Sequence, residues 1–191
     1  MANYELLMPY TEDWVSLLAQ EGCTAPPPIS EGNRWPRREE VIAAVQAEGM
    51  IAEPSGPEDI MVLLPADAPE VLQAQLRTLV RVQPGLDGGL QTAGESSYLV
   101  WFTCSDWEHV GEDRVGVFIH GQNWPLEVFL THRLAQACGQ LVLYSSGGGI
   151  PVVVGPDSDP GRLSTLWLEA DPRPDAVQWF YEQLACEPGG G

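Results

Sequence analysis

The chain has few side chains whose type and spacing suit metal binding or nucleophilic catalysis. The candidates are three histidines and four cysteines: His109, His120, His132, Cys23, Cys104, Cys138 and Cys186. None of them forms an H-x-x-x-H or C-x-x-C pair, and the serine-hydrolase pattern G-x-S-x-G does not occur. All nine basic residues are arginine, which excludes chemistry that needs lysine, such as Schiff-base formation or P-loop phosphate binding. The sequence therefore identifies no catalytic residue, no metal site and no cofactor.

The strongest signal is electrostatic. Twenty-seven acidic residues against nine basic residues give a formal net charge of -18. A surface this negative repels the phosphates of nucleic acids and of anionic lipids, so we expect neither nucleic acid nor membrane as a partner. It favours fast encounter with a basic protein, which is the partner that we expect. Good solubility alone is the alternative explanation of the charge.

Tryptophans in predicted loops beside carboxylates have the composition of protein-binding hot spots, in which polar groups surround an aromatic anchor. The first candidate patch for partner binding lies between two predicted strands and comprises Asp106, Trp107, Glu108, Glu112 and Asp113. The second candidate patch follows the next strand, at its opposite end, and comprises His120, Asn123 and Trp124. We expect the first patch at the surface, because unpaired charge is costly to bury. The alternative is a solvated turn whose tryptophans only cover local apolar clusters.

Three arginines, Arg34, Arg37 and Arg38, cluster just ahead of the apolar stripe of a predicted helix. They could form an anion site, but positive charge at a helix start opposes the helix dipole. The nearby Glu31, Glu39 and Glu40 are close enough to neutralise them. We therefore favour local ion pairs over an anion site.

These observations favour a non-enzymatic, strongly acidic protein that binds and masks a basic partner, in the manner of bacterial immunity proteins and antitoxins. Two alternatives stay open: a small enzyme or ligand-binding domain that uses the histidines and cysteines, and a self-associating regulatory module such as a homodimer. The composition is rich in Arg, Ala, Gly and Pro, as is typical of proteins from GC-rich bacterial genomes. Residues 1–10 do not resemble a secretory signal, so we expect a cytoplasmic protein with free thiols.

Hydrophobic periodicity, with glycine and proline as breaks, predicts the elements that position these residues. Strands are predicted near 60–64, 98–103, 114–119, 140–144 and 150–154, with a short extended piece at 166–168. Helices are predicted near 11–22, 36–49, 70–82, 125–138 and 175–185. The twofold order of strand, helix and strand predicts an α+β, ferredoxin-like (split βαβ) two-layer sandwich with added N-terminal helices and a C-terminal helix. We expect a mainly antiparallel sheet with helices 70–82 and 125–138 on one face. Another α+β sandwich with the same element order is the alternative.

The predicted organisation has an N-terminal helical segment with a proline-rich linker (1–52), an α+β core (57–187) and a flexible glycine tail (188–191). The strand at 98–103 is apolar on both faces, so the second face of the sheet needs a cover. The N-terminal helices, through Trp14 and Leu18, are the simplest cover. A partner protein or a second copy of the chain is the alternative.

Overall fold

A seven-stranded antiparallel sheet organises the protein. The computed structural model describes residues 4–63, 65, 70, 74, 100–110, 116–121, 124–170 and 173–186. The strands are β1 Glu5–Pro9, β2 Ile51–Ser55, β3 Asp59–Leu63, β4 Val100–Cys104, β5 Val117–Gly121, β6 Leu141–Ser145 and β7 Val152–Val154. Their order across the sheet is β2-β3-β4-β5-β1-β6-β7. The N-terminal strand β1 therefore lies inside the sheet, between β5 and β6.

Five helices in the described part of the chain accompany the sheet. They are α1 Glu12–Gln20, α2 Arg38–Ala47, α3 Trp124–Cys138, α4 Pro160–Ala170 and α5 Ala176–Ala185. α3 packs against β5, β6 and β7 and also against α2 and α4. Ten of its 15 residues are buried, so α3 is the central helix of the core. It ends at Cys138, and the next residue, Gly139, has a φ of 77°, which suits glycine just after a helix C-terminus.

Alternating burial explains why the central strands form. In β4, Val100, Phe102 and Cys104 are fully buried, whereas Trp101 and Thr103 are half-buried. Successive side chains of a strand point to opposite faces, so alternate apolar residues fill the core.

Most predicted elements are confirmed to within a few residues. The confirmed strands lie near 60–64, 98–103, 114–119, 140–144 and 150–154, and the confirmed helices near 11–22, 36–49, 125–138 and 175–185. The sheet is antiparallel, as expected. The helix predicted over 70–82 lies almost entirely outside the described residues.

The structure differs from the sequence expectation in three elements. β1 is not predicted, because its apolar run is short and is bounded by Glu5 and Pro9. β2 includes Pro54, where the sequence predicts only a break; an edge strand tolerates proline because its outer N–H groups need no partner in the sheet. Residues 166–168 are helical and belong to α4, which Pro160 begins.

The α+β class is confirmed, but the ferredoxin-like arrangement is not. β5 and β6 are both antiparallel to β1, so they run parallel to each other on its two sides, with α3 connecting them. This unit is a split βαβ. By contrast, β3 and β4 are direct antiparallel neighbours, so the first predicted unit encloses no other strand. In a ferredoxin-like sheet a strand of the first unit would lie between β5 and β6, and here β1 occupies that position.

Helices α1 and α5 contact the β6–β7 end of the sheet. Trp14 of α1 contacts Tyr144 of β6 edge to face, with ring centroids 5.8 Å apart. The Tyr181 hydroxyl of α5 donates to the Pro151 carbonyl (2.7 Å) and accepts the Val153 N–H (3.2 Å) at the β7 edge. These bonds occupy edge groups that could otherwise pair with another strand. None of the described helices is long and apolar enough to cross a membrane.

Candidate functional site

A groove of about 980 Å³ lies between the segment that leads into α2 and the loop that follows β4. Residues 34–39 form its first wall, and residues 105–108 with Val110 form its second wall. Trp35 stands in the first wall and Trp107 in the second wall, and both side chains are half-buried. We call this site the tryptophan groove.

The first wall is attached to the C-terminal end of α3. The Arg34 N–H donates to the Cys138 carbonyl, and Arg34 Nη2 donates to the Ala137 carbonyl, both at 3.0 Å. The same guanidinium binds both carboxylate oxygens of Glu40, at 2.6 and 2.9 Å. Arg34 thus connects the start of α2 to the central helix of the core.

Glu40 organises the start of α2. Its carboxylate accepts the Arg37 N–H at 2.8 Å and lies at the N-terminal end of the helix, where the dipole favours negative charge. The hydrogen bonds from the Arg34 guanidinium are the largest cause that lowers the pKa of Glu40 to about 2. The local ion pair expected from the sequence is therefore confirmed for Arg34.

The other two arginines of this wall have different environments. Arg38 donates to the Gly56 and Pro57 carbonyls of the β2–β3 turn, at 3.1 and 2.5 Å. Arg37 is exposed, and its side chain forms no ion pair with any described residue. Two of the three guanidinium groups are thus already occupied by partners within the protein.

The second wall is held by its own side chains. The Asp106 carboxylate accepts the Glu108 N–H at 3.2 Å and bonds His109 Nδ1 at 2.6 Å. The Trp107 indole N–H donates to the Glu58 carbonyl at 3.1 Å. These bonds fix the indole at the groove and leave the Glu108 carboxylate exposed.

The structure brings three predicted residues of the first patch together, because Asp106, Trp107 and Glu108 all line the tryptophan groove. Glu112 and Asp113 lie outside the described residues. Sequence reasoning considered Arg34, Arg37 and Arg38 of the opposite wall separately and did not place them, or Trp35, beside this loop. No local pattern connects that wall to the loop after β4, so no sequence signal could have paired them.

For the second predicted patch, Trp124 is the residue whose side chain the structure describes. His120 belongs to β5, but its side chain is outside the described part, and Asn123 is also outside it. Trp124 is 4% exposed and stacks on Trp167, with ring centroids 4.2 Å apart and planes 24° apart. Trp124 is thus part of the core packing between α3 and α4.

The three buried cysteines lack the environment of nucleophiles. Cys23, Cys104 and Cys138 are buried, and Cys186 is exposed. Burial raises the pKa of all three buried thiols, and that of Cys138 reaches about 12. The thiolate is the reactive form, so these three groups stay unreactive at neutral pH. Within the described ranges, no three His, Cys, Asp or Glu side chains are grouped to hold a metal ion.

No protein-family model, curated protein or solved structure matches this chain. The functional argument therefore depends on the groove and on the charge of the protein.

Proposed function

We propose that this protein is a non-enzymatic, acidic binding protein that masks a basic protein partner. In this proposal the partner inserts a cationic side chain, Arg or Lys, into the tryptophan groove. The observation that carries the proposal is the combination of two half-buried indoles and exposed carboxylates in one groove of a protein with a net charge of -18.

The charges that remain available in the groove favour a cation. Arg34 is paired with the carboxylate of Glu40, whereas Arg38 binds neutral carbonyls, so Arg37 and Arg38 keep their positive charges at the groove. Glu39 and Glu108 are both exposed at the groove, and Asp106 is half-buried beside them. These three carboxylates outnumber the two guanidinium groups, Arg37 and Arg38, that have no carboxylate partner in the described part, and the field of the whole protein adds to the attraction.

The indoles supply the second part of the recognition. A guanidinium or ammonium group over the face of an indole is attracted by the ring quadrupole, by about 0.5–2 kcal/mol. Trp107 is already oriented by its bond to Glu58, so it loses little freedom on binding. An aromatic anchor surrounded by charged groups is typical of a binding hot spot.

The proposed biological role is that of an immunity protein or antitoxin in the bacterial cytoplasm, which shields the basic surface of a toxic protein. The low reactivity of the buried thiols supports this role over an enzyme that uses cysteine. Self-association through another surface is the remaining alternative, and the mass of the free protein in solution tests it.

The test uses a fluorescent peptide of nine arginines and measures its binding by anisotropy at low and at physiological salt. The groove variant is Glu108→Arg, and its matched control is Glu169→Arg on the exposed part of α4, which changes the net charge equally. We expect Glu108→Arg to weaken binding about tenfold and the control to weaken it about twofold. Trp107→Ala should also weaken binding about tenfold without changing the net charge.

The two charge reversals could weaken binding equally while Trp107→Ala has no effect. This result would mean that peptide binding depends only on the net charge of the protein. The tryptophan groove would then not be the binding site. Near-ultraviolet circular dichroism of each variant establishes that the fold is intact.

A further inference from the structure

Two carboxyl groups meet inside the protein, away from the tryptophan groove. Glu5 begins β1 and is 8% exposed, and Glu127 lies in the first turn of α3 and is 1% exposed. Glu5 shares the buried face of its strand with Leu7. The two carboxyl side chains are hydrogen-bonded to each other.

This hydrogen bond requires a proton. An ionised carboxylate only accepts hydrogen bonds, so two carboxyl groups can bond each other only when one of them is protonated. Glu127 lies near the N-terminus of α3, where the helix dipole favours its ionised form. Glu5 has no such support, and its Oε2 has no hydrogen-bond partner. An unpartnered oxygen costs less on a neutral acid than on a buried carboxylate, which favours one proton shared by the pair over two ionised groups.

Burial raises the pKa of Glu5, the bond to Glu127 and the backbone N–H of Glu5 itself lower it, and the other described residues around it contribute little that would ionise it. The residues opposite it are Ile119 of β5 and Ser145 of β6, and neither is charged. Further along α3, His132 lies beside the Pro156 carbonyl and Arg133 binds the carboxylate of Glu48.

The remaining described arginines are also engaged elsewhere or exposed. Arg34 and Arg38 have the partners given above, and Arg37 is exposed at the groove. Arg162 donates to the carbonyls at the end of α5, and Arg173 binds Asp175. Burial is accordingly the largest influence on Glu5, and it raises its pKa to about 7.

We propose that Glu5 and Glu127 share one proton across the contact of β1 with α3, and that loss of this proton weakens the attachment of the N-terminal strand. β1 joins the β2–β5 part of the sheet to β6 and β7, so a weaker β1 contact affects the whole sheet. The free energy of unfolding therefore depends on pH near neutrality, and it is higher at acidic pH than at alkaline pH.

The direction follows from linkage. Glu5 has a raised pKa in the folded protein, from 4.5 to about 7, so its contribution is fully present below pH 4.5 and is lost as the pH rises through about 7. These two values make the unfolding equilibrium constant rise roughly 70-fold between pH 5 and pH 8.

The test compares the wild type with Glu5→Gln, which keeps an N–H donor for Glu127 and removes the titration. Urea unfolding is measured at pH 5 and at pH 8. The wild type should show a rise in the unfolding constant that exceeds that of Glu5→Gln by a factor of several tens. The matched control, Glu12→Gln at the exposed start of α1, should keep the wild-type rise. Hydrogen exchange at pH 8 should show higher protection of β1 in Glu5→Gln than in the wild type.

A second measurement uses the wild type alone and decides the proposal even if the variant does not fold. Carbon-13 NMR of the labelled glutamate carboxyl groups should show one group that titrates near pH 7. If every glutamate titrates below about pH 5.5, or if wild type and Glu5→Gln have the same pH dependence of unfolding, Glu5 does not hold a proton and the proposal is wrong.

Discussion

The ion pair between Arg34 and Glu40 should be the most important electrostatic contact of the tryptophan groove. The informative change is Glu40→Gln, which keeps the size of the side chain and removes its charge. The variant loses the charge-assisted bonds to Arg34 and weakens the bond to the Arg37 N–H. The start of α2, and with it the first wall of the groove, should therefore become less stable.

The structure also gives the magnitude. A pKa of Glu40 that falls from 4.5 to about 2 corresponds to roughly 3 kcal/mol between its protonated and ionised forms. The side chains of Arg34 and Glu40 are 40% and 23% exposed, so solvent screening reduces this value. We expect Glu40→Gln to lower the free energy of unfolding by about 1–2.5 kcal/mol at pH 7.

The assay is urea unfolding followed by tryptophan fluorescence at pH 7 and at pH 3. The folded-state pKa of Glu40 is lowered, so its contribution is present above pH 4.5 and is lost as the pH falls towards 2. The difference between wild type and variant should shrink by about half or more at pH 3. The control is Glu39→Gln, because Glu39 is the exposed neighbour and forms no ion pair with the described residues. A loss of stability that is equal in both variants, or that does not depend on pH, would refute the argument from the ion pair.

Three further predictions concern the rest of the fold. Tyr181→Phe removes two buried hydrogen bonds at the β7 edge and should lower the free energy of unfolding by about 1–3 kcal/mol, measured by urea unfolding; an unchanged value would mean that water replaces the hydroxyl. Gly139→Ala should cost at least about 1 kcal/mol, because φ is 77° and the new Cβ would lie 2.5 Å from Asn33 Oδ1. Unaltered thermal unfolding would contradict this geometry. A thiol reagent should modify only Cys186 in the native protein and all four cysteines after unfolding. Fast modification of a second thiol would show that a buried cysteine is accessible.

Local patterns in the sequence determined most of the individual elements and the acidic character of the surface. The apolar spacing of α3 and the run of β4 are strong signals, because each element presents its own buried face to the core. The pairing of Arg34 with a nearby glutamate was also predictable, since the partners lie within one helical turn of the start of α2. The neighbouring Asp106, Trp107 and Glu108 could be recognised as a surface patch for the same local reason.

Tertiary structure alone decided which elements became neighbours. β1 is a five-residue strand without a distinctive pattern, and its place between β5 and β6 is specified only by the strands that it pairs with. The same holds for the two walls of the tryptophan groove, which face each other because Arg38 of the first wall and Trp107 of the second wall both donate to carbonyls of the β2–β3 turn. It also holds for Glu5 and Glu127, whose shared environment requires both the insertion of β1 and the packing of α3. Burial and long-range contact depend on the whole fold, whereas periodicity and capping act over a few residues, and this difference sets the limit of what the sequence predicts.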